Sequence, residues 1–309
     1  MSTKATDKVQ FGQVTVELSN LDRVLFPDEG ITKGDLVEHY RLFADRIVAQ
    51  IANRPLTLDR WPRGLSDKGF IQQEAPGYFP GWVARATVPR KEGGEIEHVS
   101  CDNAETLLYL VNQGVITLHA WLAKADRPTF PDQLIFDLDP SHDDFDEVRQ
   151  AALDLHELLD EVGLPSYLKT TGGRGLHVTV PLARRHEVDM VLSFARDVAA
   201  TLVDRAPDRL TAQIRKDKRQ GRLYIDTARN GYGQTAVAPF MVRARPGALV
   251  ATPLSWEELD DPALRPNMFT IDAVRQRRGN DPWQGMADHA ASLTKAQRRI
   301  DTVKPESGR

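Results

Sequence analysis

The sequence has little cysteine and no long apolar runs, and each shortage excludes a class of protein. Cys101 is the only cysteine among 309 residues, so an internal disulfide and a purely cysteine-based zinc site are both excluded. No run approaches the roughly 20 apolar residues that cross a bilayer, and the polar N-terminus lacks the apolar stretch of a secretory signal. These absences predict a cytoplasmic protein without a membrane partner.

An excess of one charge is also lacking. Lys and Arg number 40 against 44 Asp and Glu, a formal charge of −4. Composition alone therefore indicates no nucleic-acid partner, and any such signal must come from local clusters. The 41% hydrophobic and 27% charged content excludes a disordered, collagen-like or coiled-coil chain. We expect a single catalytic domain over residues 12–300, with polar tails over 1–11 and 302–309.

Helical and strand patterns alternate along the chain. Thr32 and Asp35 form an N-terminal capping pattern, and apolar residues then recur every three or four positions as far as Ile51. Further helices are predicted over 103–113, 145–162 and 188–202, and after Ser255. Strands are predicted over 115–122, 134–139, 167–169, 176–180, 223–226 and 235–242. This mixture predicts an α+β fold with a mixed or antiparallel sheet.

Residues 134–140 carry the strongest chemical signal. Residues two apart on a strand share a face, so Asp137 and Asp139 project together while the apolar residues between and before them enter the core. Two carboxylates this close repel each other unless a proton or cation lies between them, and hard divalent cations prefer such ligands. The pair is therefore a candidate metal site, although a turn at Pro140 followed by an acidic helix start would use the same residues.

Asp226 ends another predicted strand in a similar way. Taken alone, it reads as an ordinary acid before the loop 227–231. Joined to Asp137 and Asp139, it would complete a cage for two Mn²⁺ or Mg²⁺ ions. Such a cage serves in-line phosphoryl or nucleotidyl transfer.

A glycine-rich loop over 170–175 joins two predicted strands. Its glycines let backbone N–H groups approach an anion, and Thr171, Arg174 and His177 can add side-chain contacts. The loop opens no helix and is not a Walker loop. It is either an anion site or only a turn.

Basic residues concentrate shortly before Asp226. The cluster contains Arg215, Lys216, Lys218, Arg219 and Arg222. It can be an ordinary charged surface loop, or it can hold a DNA backbone near the metals. Further cations are Arg243, at the end of a predicted strand, and Arg23 and Lys33, which the turn over 27–30 could bring to one phosphate.

Together these segments resemble the polymerase domain of bacterial ATP-dependent DNA ligase D, a member of the archaeo-eukaryotic primase superfamily. The resemblance runs from about Leu18 to Leu264. The matching segments are 18–27, 60–62, 136–140, 175–177, 224–226 and 238–239. Several spaced matches in one order are far more specific than any single motif. The resemblance implies a primase-like polymerase fold, with two mixed or antiparallel sheets facing a catalytic cleft and helices around them.

The resemblance also implies roles for individual residues. The metal-binding and catalytic residues would be Asp137, Asp139 and Asp226. The nucleotide-binding residues would be His119, Thr171, Arg174, His177 and Arg243. The DNA-binding residues would be Arg23, Lys33, Phe70, Arg215, Lys216, Lys218 and Arg219. Phe70 and Ile71 stand where the family often has an aromatic pair stacking on template bases, and Leu58 and Asp59 stand where basic residues are common.

The implied activity is a DNA-directed nucleotidyltransferase of the primase-polymerase type. It would extend 3′ ends, prefer ribonucleotides, and fill short gaps or breaks in DNA repair such as non-homologous end joining. The implied partners are gapped or broken DNA with a 5′-phosphate, NTP or dNTP, a DNA ligase and a Ku-type end-binding protein. We expect a stand-alone member of the family or an excised domain, located in the cytoplasm and on the nucleoid when bound to DNA.

Two other functions stay open at this point. A Mn²⁺-dependent glycosyltransferase also uses an Asp-x-Asp pair, but it leaves Asp226 and the phosphate-binding residues unexplained. A DNA-end-binding module without catalysis would explain the basic residues. However, a pure binder gains nothing from three clustered acids that face a polyanion.

Overall fold

The chain forms two units, each assembled from segments that are distant in sequence. The computed structural model describes residues 6–11 and 14–303. The first unit comprises residues up to 126 together with 235–252 and 267–280, and the second comprises 127–234, 253–266 and residues from 281 onward. Within the described ranges, no helix combines the length and apolar character needed to cross a membrane.

Sixteen strands and seven α-helices lie in the described residues. The strands are β1 (Thr6–Phe11), β2 (Val14–Ser19), β3 (Val24–Phe26), β4 (Ile31–Thr32), β5 (Leu56–Arg60), β6 (Phe70–Gln72), β7 (Arg85–Pro89), β8 (Glu95–Val99), β9 (Val115–Trp121), β10 (Gln133–Asp139), β11 (Tyr167–Thr170), β12 (Leu176–Pro181), β13 (Leu210–Thr211), β14 (Leu223–Asp226), β15 (Thr235–Val237) and β16 (Pro253–Leu254). The helices are α1 (Lys33–Leu42), α2 (Ala44–Ile51), α3 (Ala104–Asn112), α4 (Phe145–Glu161), α5 (Val188–Arg205), α6 (Ile271–Gln276) and α7 (Leu293–Val303).

The first unit is built on an antiparallel sheet. Its strand order is β15-β9-β5-β8-β7, and β6 also pairs with β5. Two hairpins, β1–β2 and β3–β4, stand outside this sheet. On β9 the expected alternation of apolar and polar residues is present, but Thr117 is fully buried. The polar face of this strand is therefore covered at Thr117, whereas His119 is half-buried.

A capping box sets the start of α1 as predicted. The Thr32 side chain accepts from the Asp35 backbone N–H while the Asp35 carboxylate accepts from Thr32, a reciprocal capping box. The single helix expected as far as Ile51 is instead two helices, α1 and α2. The break falls at Phe43, which leaves helical geometry and stacks on Phe240 at 4.8 Å between ring centroids.

The second unit is built on a mixed sheet. The order is β13-β14-β10-β12-β11-β16, with β13 parallel to β14 and every other pair antiparallel. Helices α4 and α5 pack against β10. Leu134, Phe136 and Leu138 of this strand are fully buried, as their alternation predicted. The central strand is thus held firmly from its apolar side.

The structure differs from the sequence predictions at three further places. Residues 6–11 form β1, paired along its whole length with β2, so the predicted N-terminal tail is wrong there; residues 1–5 and 304–309 lie outside the described residues. The strand predicted over 235–242 ends at Val237, because Pro239 has no N–H to donate. Ser255 does form a capping box, but the helix after it is a short 3-10 helix, Trp256–Asp260. The single domain predicted over 12–300 stays a prediction.

Candidate active site

A row of polar and charged side chains crosses the sheet of the second unit. Lys169 lies opposite His177, His177 opposite Asp137, and Asp137 opposite Asp226. Residues directly opposed on neighbouring antiparallel strands share a face, with Cβ atoms about 5 Å apart. Asp139 follows on the same face of β10, two residues along. The structure therefore brings the three predicted aspartates and His177 together.

Asp137 is buried and surrounded by positive charge. Its Oδ2 accepts from Nε and Nη2 of Arg229, both at 3.3 Å, and its Oδ1 lies 3.5 Å from Nε2 of His177. Burial would raise the pKa of Asp137. The His177 contact and the charges of Arg229 and Lys169 outweigh burial and hold the pKa well below its usual range. Asp137 is therefore ionised at neutral pH.

His177 is buried beside it. Burial and the nearby Lys169 charge lower the pKa of His177 to about 4, so the imidazole is neutral at pH 7. Its Nδ1 is buried and has no hydrogen-bond partner among the described residues. One ring nitrogen faces Asp137 and the other is left for another group.

Asp139 is more accessible and contacts an arginine. Its side chain is 47% exposed, and its Oδ2 accepts from Nη1 of Arg219 at 3.2 Å. Two backbone carbonyls, of Gln213 and Ile214, hold the same guanidinium, each at 3.1 Å. The guanidinium carbon of Arg219 lies over the Tyr224 ring, 3.9 Å from the ring centroid. Arg219 is thus fixed in front of Asp139.

Asp226 is fixed from its own strand end. Its Oδ1 accepts from the Ala228 N–H at 2.8 Å and from the Tyr224 hydroxyl at 3.3 Å. Burial and the Asp226 charge raise the pKa of Tyr224 to about 12. The tyrosine therefore stays protonated and remains a donor to Asp226.

The glycine loop approaches the same end of β10. The Thr171 N–H and hydroxyl both donate to the Gly175 carbonyl, at 3.1 and 3.2 Å, which closes the loop. A Cβ on Gly175 would lie 2.2 Å from the Leu138 carbonyl oxygen, so only glycine fits this close approach. Arg174 is exposed at the loop tip. Thr171 and Arg174 therefore lie near the end of the strand that carries Asp139.

A hard divalent cation suits the donors of this site. Asp137, Asp139 and Asp226 present carboxylate oxygens on one face of two paired strands. As the side chains stand in residues 6–11 and 14–303, no three His, Cys, Asp or Glu groups converge tightly enough to hold a metal ion. The charges of Asp137 and Asp139 are matched instead by Arg229 and Arg219. The donor chemistry fits, and Arg219 occupies one of the two carboxylate oxygens of Asp139.

The predicted basic cluster divides into two parts. Lys216 and Lys218 are exposed in a short 3-10 helix, and Arg215 pairs with Asp217 through two hydrogen bonds of 2.7 and 3.1 Å. Arg219 is buried against Asp139 instead of extending into solvent. The exposed residues are accessible to a polyanion, whereas Arg219 belongs to the carboxylate site.

Arg23 and Lys33 lie in the first unit, where the turn brings them together as expected. The Lys33 N–H donates to the Arg23 carbonyl at 2.8 Å. The Lys33 ammonium, however, donates to the Ser19 carbonyl and to both the carbonyl and side-chain oxygens of Asn112, at 2.7, 2.9 and 2.6 Å. These bonds use all three of its donors. Lys33 therefore ties β2 to α3 in this structure.

Phe70, His119 and Arg243 also lie in the first unit. Phe70 is 48% exposed and Ile71 is 61% exposed, and the Arg60 guanidinium lies 5.2 Å from the Phe70 ring centroid. Phe70 thus has a ring available for stacking. His119 pairs with Thr57 and Val237 across the sheet, and Arg243 is half-buried after the end of β15.

Sequence reasoning missed Lys169, Tyr224 and Arg229 as parts of the site. A lysine within a buried strand is unusual and was a usable signal for Lys169. Tyr224 lies two residues before Asp226 on the same strand and so on the same face, which was a usable signal for it. Arg229 follows Asp226 in a loop, and nothing in its local sequence indicates that it reaches Asp137.

Comparison with known proteins identifies the family. The LigD primase-polymerase domain family matches residues 32–283. The multifunctional non-homologous end joining protein LigD of Mycobacterium bovis is 31% identical over 301 residues, covering 94% of this chain and 40% of that protein. The LigD of Pseudomonas aeruginosa is 33% identical over 290 residues, covering 92% of this chain and 34% of that protein. The chain therefore spans less than half the length of these relatives.

A solved structure agrees with the sequence matches. The polymerase domain from Mycobacterium tuberculosis ligase D, in complex with DNA, superposes with a TM-score of 0.83 at 30% identity, covering 89% of this chain and 99% of that one. The predicted α+β, primase-like fold is confirmed. With a family match over most of its length and relatives above 30% identity along nearly all of it, the chain belongs to the LigD primase-polymerase family of nucleotidyltransferases.

Proposed function

We propose that this protein is a metal-dependent polymerase that extends a DNA or RNA 3′ end across a short gap or break, with preference for ribonucleotides. The observation that carries the proposal is the row of Asp226, Asp137 and His177 on adjacent strands, with Asp139 beside it. Family membership supplies the reaction class. It leaves the glycosyltransferase alternative without support.

The three aspartates would hold two Mn²⁺ or Mg²⁺ ions, which supply charge for the triphosphate and lower the pKa of the primer 3′-hydroxyl. Asp137 is already ionised, because the neighbouring cations outweigh its burial. His177 offers its unused Nδ1 toward an incoming group. Thr171 and Arg174 contribute from the glycine loop. His119 and Arg243 complete the proposed nucleotide-binding residues.

The proposed DNA substrate is a gapped or broken duplex. The Mycobacterium tuberculosis structure contains DNA, and the relatives are named as non-homologous end joining proteins. We extend both properties to this protein. The exposed Lys216 and Lys218 suit a phosphate backbone. A DNA ligase and a Ku-type end-binding protein would be its partners in the same repair process.

The deciding experiment is primer extension on a one-nucleotide gap with a 5′-phosphate. Wild-type protein should add a nucleotide with Mn²⁺ and should use a ribonucleotide more efficiently than the matching deoxynucleotide. The physical reason for that preference is a polar group, His119 in this proposal, that a deoxy sugar would leave unpaired. Equal efficiency for the ribonucleotide and the deoxynucleotide would refute the ribonucleotide preference and leave the proposed polymerase activity standing.

The same assay separates catalysis from simple DNA binding. A module that only binds ends would retain the gapped duplex in a mobility-shift assay and add no nucleotide under any metal condition. That result would overturn the proposed function. Addition of sugar from a nucleotide sugar, tested in parallel, is not expected.

A further inference from the structure

Beyond β15 the chain leaves the sheet through a strained corner at Phe240. Phe240 has φ of 62°, a left-handed conformation that bulky residues rarely adopt. Its N–H donates to the Ala251 carbonyl at 2.7 Å, and its carbonyl accepts from Nε2 of His39 at 2.9 Å. Its ring stacks on Phe43. These three contacts hold the backbone of Phe240 in this conformation and set the direction of the residues that follow it.

After this corner, the Thr117 hydroxyl forms hydrogen bonds with the backbone on both sides of Arg243. The Thr117 hydroxyl donates to the Val242 carbonyl at 2.7 Å and accepts from the Ala244 N–H at 3.2 Å. It therefore bonds the residue before Arg243 and the residue after it. The Arg243 N–H itself donates to the Leu249 carbonyl at 2.8 Å.

A second hydroxyl reinforces the first. Tyr40 accepts from the Val242 N–H at 3.0 Å and donates to the Ile116 carbonyl. Tyr40 and Thr117 are 1% and 0% exposed, so water cannot replace either hydroxyl. Buried hydrogen bonds of this kind are costly to lose, because the abandoned backbone groups stay unsatisfied. The backbone on both sides of Arg243 is therefore held by side chains of α1 and β9 together with an antiparallel bridge between Val242 and Val250.

The charge of Arg243 influences Asp59, which lies on the same sheet as Thr117. Asp59 lies directly opposite Thr117 in the β5–β9 register. Burial raises the pKa of Asp59, and the hydrogen bond from Trp61 and the charges of Arg243 and Arg245 offset this only partly.

We propose that Thr117 is a positioning residue that fixes the backbone around Arg243 and so directs its guanidinium to the phosphates of the incoming nucleotide. This inference rests on the proposed function, which assigns Arg243 to nucleotide binding. Thr117 makes no contact with substrate in this proposal. Its effect should therefore pass entirely through Arg243.

Three variants test the proposal. Thr117→Val keeps the shape and removes the hydroxyl, and Thr117→Ser keeps the hydroxyl. Thr106→Val is the matched control, because Thr106 is also fully buried in the first unit and its hydroxyl has no hydrogen-bond partner among the described residues. Arg243→Gln reports what loss of the guanidinium itself does.

Hydrogen–deuterium exchange gives a readout independent of activity. Thr117→Val should speed exchange in the peptide covering residues 241–245, whereas Thr117→Ser and Thr106→Val should leave it as in wild type. Unchanged exchange in Thr117→Val would overturn the proposal, whether or not the protein polymerises nucleotides.

Steady-state extension gives the functional readout. Thr117→Val should raise the KM for the nucleotide about fivefold, as expected for loss of one buried hydrogen-bonding group, with kcat nearly unchanged. Thr117→Ser should restore the wild-type value.

If Arg243→Gln raises the KM but Thr117→Val matches Thr106→Val, the positioning role is wrong and the proposed function stands. If wild-type protein adds no nucleotide, the proposed function is wrong, and exchange together with equilibrium binding of Mn²⁺–ATP still decides the role of Thr117.

Discussion

Asp137 and Asp226 face each other on adjacent strands, and their mutual repulsion must be balanced by positive charge. Arg229 and Lys169 provide that charge for Asp137 in the second unit. Asp139 has its own partner in Arg219. Cations thus lie beside Asp137 and Asp139 in the protein itself, and at Asp137 they hold the carboxyl pKa well below its usual range.

The accessible aspartate is the cleanest test of the metal role. Asp139→Asn preserves the side-chain shape but removes the charge, so nucleotide addition should fall by at least about a hundredfold. Because the Asp139 side chain is 47% exposed, the unfolding free energy should change by less than about 1 kcal/mol. Extension rates and thermal melting check both expectations. Asp143→Asn, at an exposed acid nearby, is the control; near-normal extension by Asp139→Asn with unchanged melting would refute the metal role.

Arg219 should compete with a metal ion for Asp139. Replacing it by methionine in Arg219→Met removes the 3.2 Å contact, and without DNA the affinity for Mn²⁺ should rise about fivefold. This factor corresponds to about 1 kcal/mol, the upper range for a partly exposed ion pair. Calorimetric titration with Mn²⁺ measures it directly. Arg215→Met, which lies on the same loop and pairs with Asp217, should leave the affinity unchanged; an equal or lower affinity in Arg219→Met would contradict the competition.

The hairpin of β3 and β4 shows that neighbouring cations can have different tasks. Its turn places Arg23 and Lys33 side by side, as an anion pocket requires. Burial and the Arg23 charge lower the pKa of Lys33 to about 8, and its three donors are used within the protein. Arg23 is half-buried, and one of its nitrogens donates to the Pro62 carbonyl. Arg23 is the better candidate for a DNA 5′-phosphate.

Because Lys33 is bonded within the protein and Arg23 is the better candidate for the DNA phosphate, we expect different results for Lys33→Ala and Arg23→Ala. Arg23→Ala should reduce the preference for a gap bearing a 5′-phosphate by about tenfold at low salt with little change in stability. Lys33→Ala should lower the melting temperature by several degrees, because the half-buried oxygens of Ser19 and Asn112 lose their donor. Binding to gapped duplexes with and without the phosphate, together with melting curves, checks both. A stable Lys33→Ala protein that has lost the phosphate preference would instead support a pocket formed by both cations.

Across the whole molecule, a buried histidine links stability to acid pH. His39 is fully buried with its Nδ1 unbonded to any described residue, and burial lowers its pKa from 6.5 to about 4. Between pH 6.5 and pH 4, His39 is protonated in the unfolded chain but stays neutral in the folded chain. The free energy of unfolding therefore decreases as the pH falls from 6.5 toward 4.

The loss attributable to His39 should be about 2 kcal/mol between pH 7 and pH 5. Urea unfolding at the two pH values measures it. His39→Gln keeps a donor for the Phe240 carbonyl and cannot titrate, so its stability should fall by about 2 kcal/mol less than that of wild type over the same interval. The exposed His142→Gln should behave like wild type. An identical pH dependence in His39→Gln and wild type would exclude His39 as the source.

Local sequence determined much of this protein. Alternation on β10 separated the buried Leu134, Phe136 and Leu138 from Asp137 and Asp139, because side chains alternate strictly along a strand. Capping residues marked the start of α1, since short polar side chains satisfy the free N–H groups of a helix end. The spaced motifs carried the family, which the comparisons confirm.

Only the tertiary structure decided which distant groups meet. The pairing of β14 with β10 placed Asp226 opposite Asp137, and a loop contact carried Arg219 to Asp139. Contacts between residues far apart in the chain also hold the corner at Phe240, beyond the end of β15. Sequence periodicity reports the face on which a residue lies. It does not report which strand pairs with which or where a long basic side chain finds its acceptor, because both depend on packing among segments separated by many residues.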